Sequence, residues 1–241
     1  MRRIRLATGP GALFLAFLVG ALIVFLPLRL ALGWFGLAEQ GMTAREVTGS
    51  IWAGGLREAR FGQIALGDLS AGVSPLQLLV GRARVDLDGT AAAPAPRLSG
   101  AIGVSRYSFG LDDVTASLPV GTAFRPVPVT MLDLEDVSVR FRGDVCEQAE
   151  GRVRATMAGE IGGLAVPASL TGNARCDGGA LLLPLTSAAG GEGSTIRLWP
   201  DGRYRAELTL QPSDPAGTAR LQAAGFVATG AGMQLAIEGR F

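Results

Sequence analysis

The chain contains no histidine and no lysine, so all 22 of its basic residues are arginine. Without histidine it has no Ser-His-Asp triad, no Cys-His pair and no imidazole ligand for a metal. Without lysine it has no Schiff-base amine and no P-loop lysine. Its two cysteines supply too few ligands for a metal site. We therefore expect no catalytic residue, no cofactor and no bound metal, and we predict that the protein is not an enzyme.

Two short matches to ligand-binding motifs do not change this expectation. Gly230 and Gly232 begin a nucleotide-type glycine pattern, but Leu235 occupies the third position and a strand follows. The Asp86–Gly89 segment resembles the start of a calcium loop, yet the later ligands are missing. The remaining acidic clusters fall between apolar positions, which favours solvated strand faces: Asp112, Asp113, Asp133, Glu135 and Asp136.

The longest apolar run lies near the N-terminus, from Leu6 to Leu28, and carries no charge. As a helix it would be about 34 Å long, enough for a hydrocarbon core of about 30 Å. Arg2, Arg3 and Arg5 precede it, so the positive-inside rule places residues 1–5 in the cytoplasm and residues 29–241 in the periplasm. The alternative is a cleaved signal peptide with a weak cleavage site at Ala31–Gly33. The run is longer than a typical signal-peptide core, which favours the uncleaved anchor.

Leaving out Arg29 next to the apolar run, the exported part has no basic excess: 18 arginines face 21 acidic residues, a net charge of −3. A nucleic-acid-binding surface would show the opposite balance, so nucleic acid is not an expected partner.

Beyond the apolar run the sequence alternates as β-strands do. Apolar and polar residues alternate in "VSVRF", "RVRATMAG" and "MQLAIEGRF", and Pro200 and Gly202 predict a turn between strands at Ile196–Trp199 and Tyr204–Leu210. The pattern predicts a mainly β fold: an N-terminal transmembrane helix, then an elongated, curved antiparallel β-sheet domain with one short helix. The Ala/Pro-rich segment Thr90–Arg97 predicts an exposed connection.

The short helix is predicted after Ser74, a favourable N-cap residue, with Pro75 at the first helical position and Gly81 at its end. We expect Leu76, Leu79 and Val80 to pack on the sheet. We interpret Trp52 as a packed or edge aromatic residue rather than a platform for a ligand.

The two cysteines, Cys146 and Cys176, both lie in the exported part, where disulfides are permitted. Each is next to an alternating run, which indicates that they are neighbours. We expect a disulfide that stabilises the fold by about 3.5–4 kcal/mol in the chain-entropy treatment. Two buried free thiols are the alternative.

Three stretches together resemble the type II secretion system protein N family: "ARxVxGSIWxGxL" (Ala44–Leu56), "GxxxLGDL" (Gly62–Leu69) and "SPLxLLxGRAR" (Ser74–Arg84). The resemblance covers most of the chain and implies one membrane anchor and a periplasmic domain with two cysteines in its later half. It implies an accessory role, through protein contacts with other subunits, in exporting folded proteins across the outer membrane. The residues that carry it are Gly49, Trp52, Gly54, Leu56, Leu66, Gly67, Pro75, Leu76, Leu79 and Gly81.

A strand, "PLxLLxG", strand pattern is also similar to the repeat of AsmA-type proteins, whose curved sheets carry an apolar groove. That resemblance implies a protein that binds or moves lipid. An uncovered apolar face on the sheet favours the lipid function, and faces that are packed or polar favour the protein scaffold.

Overall fold

A computed structural model of the protein describes residues 10–34, 42–62, 64–89, 98–120 and 127–240. The expected tail at residues 1–5 and the connection Thr90–Arg97 lie outside the described residues. The helices are α1 (Pro10–Val24), α2 (Leu28–Trp34), α3 (Pro75–Leu79) and α4 (Pro215–Ala223).

Eighteen strands make up most of the described chain. The first nine are β1 (Met42–Thr43), β2 (Glu46–Ser50), β3 (Ala53–Phe61), β4 (Ile64–Val73), β5 (Arg82–Gly89), β6 (Leu98–Ser105), β7 (Ser108–Pro119), β8 (Val129–Arg142) and β9 (Val145–Met157). The others are β10 (Glu160–Ile161), β11 (Leu164–Ala165), β12 (Ser169–Asn173), β13 (Arg175–Asp177), β14 (Ala180–Ser187), β15 (Gly193–Leu198), β16 (Arg203–Leu210), β17 (Val227–Thr229) and β18 (Gly232–Arg240).

Sixteen of these strands form one sheet, in the order β1-β3-β4-β5-β6-β7-β8-β9-β12-β14-β15-β16-β18-β17, with β2 also paired to β3 and β13 to β14. Strands β10 and β11 form a separate hairpin. All the strand pairs are antiparallel. The prediction of a mainly β fold built on an antiparallel sheet is therefore confirmed.

β-Bulges interrupt the strand pairing in β3, β7 and β8. Glu58, Asp113 and Asp136 have φ near +50°, which side-chain-bearing residues rarely adopt. Each of their backbone N–H groups donates to a side-chain oxygen on a neighbouring strand. The acceptors are Asp68 Oδ1 at 2.8 Å, Ser138 Oγ at 2.9 Å and Thr115 Oγ1 at 3.1 Å, respectively. These bonds satisfy donors that a bulge removes from the strand ladder.

Three apolar clusters lie along the sheet. The first, at β3 and β4, contains Leu28, Leu56, Ala59, Leu69 and Ala71, so α2 covers the first strands. The second fills the space between β8, β9, β12 and β14. The third joins α4 and β10 to β16 and β18. The buried members of the second cluster are Val137, Val139, Phe141, Cys146, Val153, Ala155, Met157, Leu170, Ala174, Leu181, Leu183 and Leu185.

Helix α1 begins the described part of the predicted anchor. It is 15 residues long and apolar throughout, and none of its described side chains is buried. The chain then turns, and Leu28 begins α2 inside the first cluster. Within the described ranges, no helix combines the length and the apolar character that crossing a membrane requires.

Two expectations about helices were wrong. Helix α3 begins at Pro75 as predicted, but Ser74 makes no side-chain capping bond, and Leu76, Leu79 and Val80 are 74%, 83% and 71% exposed. No element of the described chain lies opposite these side chains, so nothing in it covers them.

The chain also has more helices than the one expected in the exported part. Helix α4 begins with a capping bond from the Gly217 N–H to Asp214 Oδ1, followed by Pro215 at the first turn. The Asp-Pro pair is a helix-start signal, so this helix was predictable from the sequence.

Candidate interaction surfaces

The family-like stretch folds as one module of β2, β3, β4, α3 and β5. Gly49 has φ of +79°, and a Cβ on it would lie 2.4 Å from the carbonyl oxygen of Ala53. A Cβ on Gly54 would lie 2.4 Å from Cδ2 of Leu28. These two glycines are therefore needed for the tight β2–β3 turn and for the close approach of α2 to the sheet.

The other motif residues divide between the core and the surface of this module. Leu56 is buried, and Leu66 packs against the same cluster. Gly67 and Gly81 have φ of +78° and +77°, which again suits glycine. Trp52 lies half-buried in the turn between β2 and β3. Pro75, Leu76 and Leu79 belong to the exposed helix α3.

The sheet has one apolar and one polar face in its central strands. Cross-strand pairing aligns Val85 with Ile102 and Leu111, and Val104 with Phe109 and Phe141, on the apolar face. The ring of Phe109 stacks on Phe141 with 5.2 Å between ring centroids. In β6 and β7 this face is half-covered, since Ile102, Val104 and Phe109 each keep at least a third of their surface exposed. The apolar face is therefore buried at both ends of the sheet and partly exposed to solvent in the middle.

A depression of about 620 Å³ lies where β6, β7 and β8 end, and Val104, Tyr107, Phe109 and Arg142 contribute to its lining. It continues the half-open part of the apolar face. None of the motif residues lines it.

Ion pairs organise the polar face of the same strands. Arg84 donates from Nε to Asp86 at 2.9 Å and from Nη1 to Asp112 at 3.3 Å. The hydrogen bond to Asp86 raises the pKa of the Arg84 guanidinium, which burial partly opposes. The Arg84 guanidinium therefore stays charged at neutral pH. Across the described ranges, no three His, Cys, Asp or Glu side chains come together as they would around a metal ion.

The predicted acidic clusters are mostly solvated. Asp113, Glu135 and Asp136 are exposed. Glu135 is 3.3 Å from Arg152 on the adjacent strand, in an exposed ion pair of the kind that contributes little to stability. The bulge geometry of Asp113 and Asp136 was not visible in the sequence, because glycine is the usual signal for a positive φ.

Cys146 and Cys176 form a disulfide with 5.5 Å between their Cα atoms, so the structure does not have the two free thiols of the alternative. The bond joins the start of β9 to β13 at the edge of the second cluster. The backbone N–H of Cys146 also donates to the carbonyl oxygen of Gly179, 2.8 Å away. The position indicates a structural role.

Strand β18 lies near the C-terminal edge of the sheet. On one side it pairs with β16 from Met233 to Arg240. On the other side β17 pairs only with Gly232–Gln234, and no described strand pairs with the rest. Backbone groups at such an edge can accept a strand from another protein.

Comparison with known proteins identifies the family. The family profile described as type II secretion system (T2SS), protein N matches residues 40–233. The chain is 29% identical over 220 residues to the type II secretion system protein N of Vibrio cholerae serotype O1 (strain ATCC 39315 / El Tor Inaba N16961), and the alignment covers 86% of each protein. No solved structure matches the chain. Because the profile spans far more than half of the sequence, the protein belongs to the type II secretion system protein N family.

Proposed function

We propose that this protein is an accessory component of a bacterial type II secretion machinery that is anchored in the inner membrane and acts by contacting other subunits from the periplasm. The observation that carries the proposal is the family match over residues 40–233. A role without catalysis agrees with a chain that has neither histidine nor lysine.

The membrane anchor in this proposal is helix α1 together with the apolar residues that precede it. Side chains on all sides of α1 are exposed, including Leu13, Phe14, Phe17 and Leu22. A helix that is apolar all around and packs on nothing is typical of one that lies in lipid. Leu6–Gly9 add further apolar residues to the run, and the arginines before them favour a cytoplasmic N-terminus by the positive-inside rule.

The protein contacts in this proposal use the open edge of β18. A partner strand can hydrogen-bond to the Leu235–Arg240 segment, beyond the three residues that β17 covers. Ala236, Glu238 and Arg240 are exposed along this segment and are able to distinguish one partner strand from another.

A second candidate function is lipid binding in an AsmA-like groove. It is favoured by the half-open apolar face at Ile102, Val104 and Phe109 and by the depression beside it. Against it, most of the apolar face is buried by the protein itself, which favours the scaffold function.

A deletion strain with two measurements separates the two functions. Under the secretion proposal, a normally exported enzyme accumulates folded in the periplasm, and detergent sensitivity does not change. Normal export together with a leaky outer membrane would reject the secretion function and support the lipid function.

Photo-crosslinking tests the proposed edge contact. A photoreactive amino acid at Ala236 should crosslink to a secretion subunit identified by mass spectrometry. The same group at Gln222, which is exposed on α4, provides the matched control. Equal crosslinking at both positions, or none at Ala236, would reject the edge as the contact.

A further inference from the structure

The end of α1 is fixed to one particular end of the strands. The backbone N–H of Ile51 donates to the carbonyl oxygen of Leu26 at 3.0 Å, and Pro27 forms a β-bridge with Ser50. Ile51 lies in the turn between β2 and β3. The N–H of Val73 donates in turn to the carbonyl oxygen of Ile51 at 2.8 Å, which places the end of β4 beside the same turn.

Because the sheet is antiparallel, the turns that lie at this end can be read from the strand order. We call them the anchor rim: the β2–β3 turn (Ile51, Trp52), α3, and the β6–β7, β8–β9, β13–β14 and β15–β16 turns. The far rim carries the other connections, including the β3–β4 turn, the β10–β11 hairpin and α4.

The anchor rim presents apolar side chains close to the point where α1 leaves the sheet. Helix α3 connects β4 to β5, one or two strands from β3, and so lies about 5–10 Å away along the rim at a strand spacing of about 4.8 Å. Its Leu76, Leu79 and Val80 are exposed and cover no part of the sheet. Segment 74–81 contains no charged residue. Water is therefore an unfavourable surrounding for this helix.

Aromatic residues with a polar atom collect at the same rim. Trp52 is in the β2–β3 turn, Tyr107 is in the β6–β7 turn, and Trp199 and Tyr204 flank the β15–β16 turn. These are all the Trp and Tyr side chains that the structure describes. Tyr107, about 15–20 Å from the exit of α1 by strand spacing, is largely exposed. Trp and Tyr are enriched where a protein meets the interface of a bilayer.

Arginine side chains stand next to these apolar groups. Arg82 follows α3 directly, and Arg106 lies with its guanidinium carbon 5.7 Å from the centre of the Tyr107 ring. Both are exposed. Apolar side chains flanked by arginine suit a surface of acyl chains beneath phosphate headgroups.

We propose that the anchor rim rests on the bilayer that holds α1, with Leu76, Leu79 and Val80 inserted at the interface and Tyr107 at headgroup depth. The inference builds on the proposed anchoring of α1 and adds a second point of attachment. Two attachments fix the orientation of the sheet: the strands rise from the membrane, and the far rim stands about 30 Å above it, the length of the ten residues of β4. Attachment through α1 alone would leave the sheet free to tilt relative to the membrane.

Fluorescent labels on single cysteines test the proposal in the full-length protein. The natural cysteines are joined in a disulfide, so an introduced cysteine is the only free thiol. The chain is placed in nanodiscs of phosphatidylethanolamine and phosphatidylglycerol, and each label is quenched either by nitroxide lipids or by iodide in water. Leu79→Cys and Tyr107→Cys report on the anchor rim, and Phe17→Cys reports on α1. Phe61→Cys, exposed at the far rim end of β3 beside the start of β4, is the matched control.

The expected result is that labels at positions 79 and 17 are quenched by nitroxide lipid and lose their quenching by iodide, whereas position 61 shows the reverse. Position 107 should be reached by shallow nitroxides. A lipid-exposed label at 17 with water-exposed labels at 79 and 107 overturns the docked rim and leaves the anchor intact. A water-exposed label at 17 overturns the anchor itself. A label at 79 that neither quencher reaches means that protein covers α3, which also overturns the inference.

Discussion

The first strands and the last strands of the sheet bury their apolar faces by different means. At β3 and β4 the cluster has five buried residues, of which two are alanines, and its cover is the seven-residue helix α2. From β8 onward the second cluster alone has twelve buried residues, and a disulfide lies at its edge. The third cluster is covered by α4 and the β10–β11 hairpin. The later half therefore carries most of the apolar burial within the described chain.

This difference indicates where each half obtains its stability. The later half is held by its own side chains and a covalent bond, so its strands are expected to be the slowest to open. The first half has a small core, and α3 with its C-cap leaves four apolar side chains in solvent: Leu76, Leu78, Leu79 and Val80. Docking on the membrane would cover these side chains with lipid and so stabilise the first half, because binding to the folded state adds to its stability.

The largest expected effect comes from removing the disulfide. Replacing both Cys146 and Cys176 by alanine should lower the free energy of unfolding by about 3.5–4 kcal/mol, because the bond closes a loop with a sequence separation of 30. Denaturant unfolding of the full chain in detergent measures the loss. Hydrogen exchange should accelerate at Leu185, in the second cluster, and stay unchanged at Leu69, in the first. Equal acceleration at both would show that the two halves open together.

The next largest effect is expected at the junction of the anchor with the sheet. Leu28→Ala removes the side chain that fills the space above Gly54. It should cost about 2–3 kcal/mol, the lower part of the range for a buried leucine, because the short helix α2 can move toward the sheet and close part of the cavity. Faster hydrogen exchange at Leu56 and Leu69 is the measurement. Leu30→Ala, two residues away and exposed, is the matched control and should change stability by less than about 0.5 kcal/mol. Similar effects from both variants would exclude the packing explanation.

Much of the later half could be predicted from the sequence, because several of its strands alternate between apolar and polar residues. Val137, Val139 and Phe141 are buried as the pattern indicated, and so are Val153 and Met157. The predicted turn at Pro200–Gly202 joins β15 to β16. These strands have one face in the core and one in water, which is the condition under which alternation is informative.

The first half was less predictable for a physical reason. Helix α3 has the apolar spacing of a packed helix, but its side chains are exposed because no element lies opposite them in the described chain. A pattern records that residues are apolar and not what covers them. The bulges at Glu58 and Asp113 left no signal, since neither position is a glycine.

A smaller effect is expected where a hydroxyl supports a bulge. Ser138→Ala removes the acceptor for the N–H of Asp113 and should cost about 0.5–1 kcal/mol, the net contribution of one hydrogen bond, because the bulge is exposed and water can replace the acceptor. Thr130→Ala removes a hydroxyl that donates to the carbonyl oxygen of Thr156 near the end of β8, and serves as the control. Equal losses for the two variants would contradict a special role for the bulge.

The smallest effect concerns the β15–β16 turn. The backbone N–H of Arg203 donates to Asp201, and together with the Arg203 guanidinium it lowers the pKa of this carboxyl below its ordinary value of 3.8. A lowered pKa gives stability that is present in full above the unfolded-state pKa and is lost as pH falls through the folded-state pKa. Asp201→Asn should therefore lower Tm slightly and by a constant amount between pH about 8 and about 5, and the gap should close below pH about 4. The amount is small because the turn is exposed and its charges are screened. Thermal unfolding of both proteins across this pH range measures it, and a gap that widens on acidification would show that Asp201 is destabilised by its surroundings.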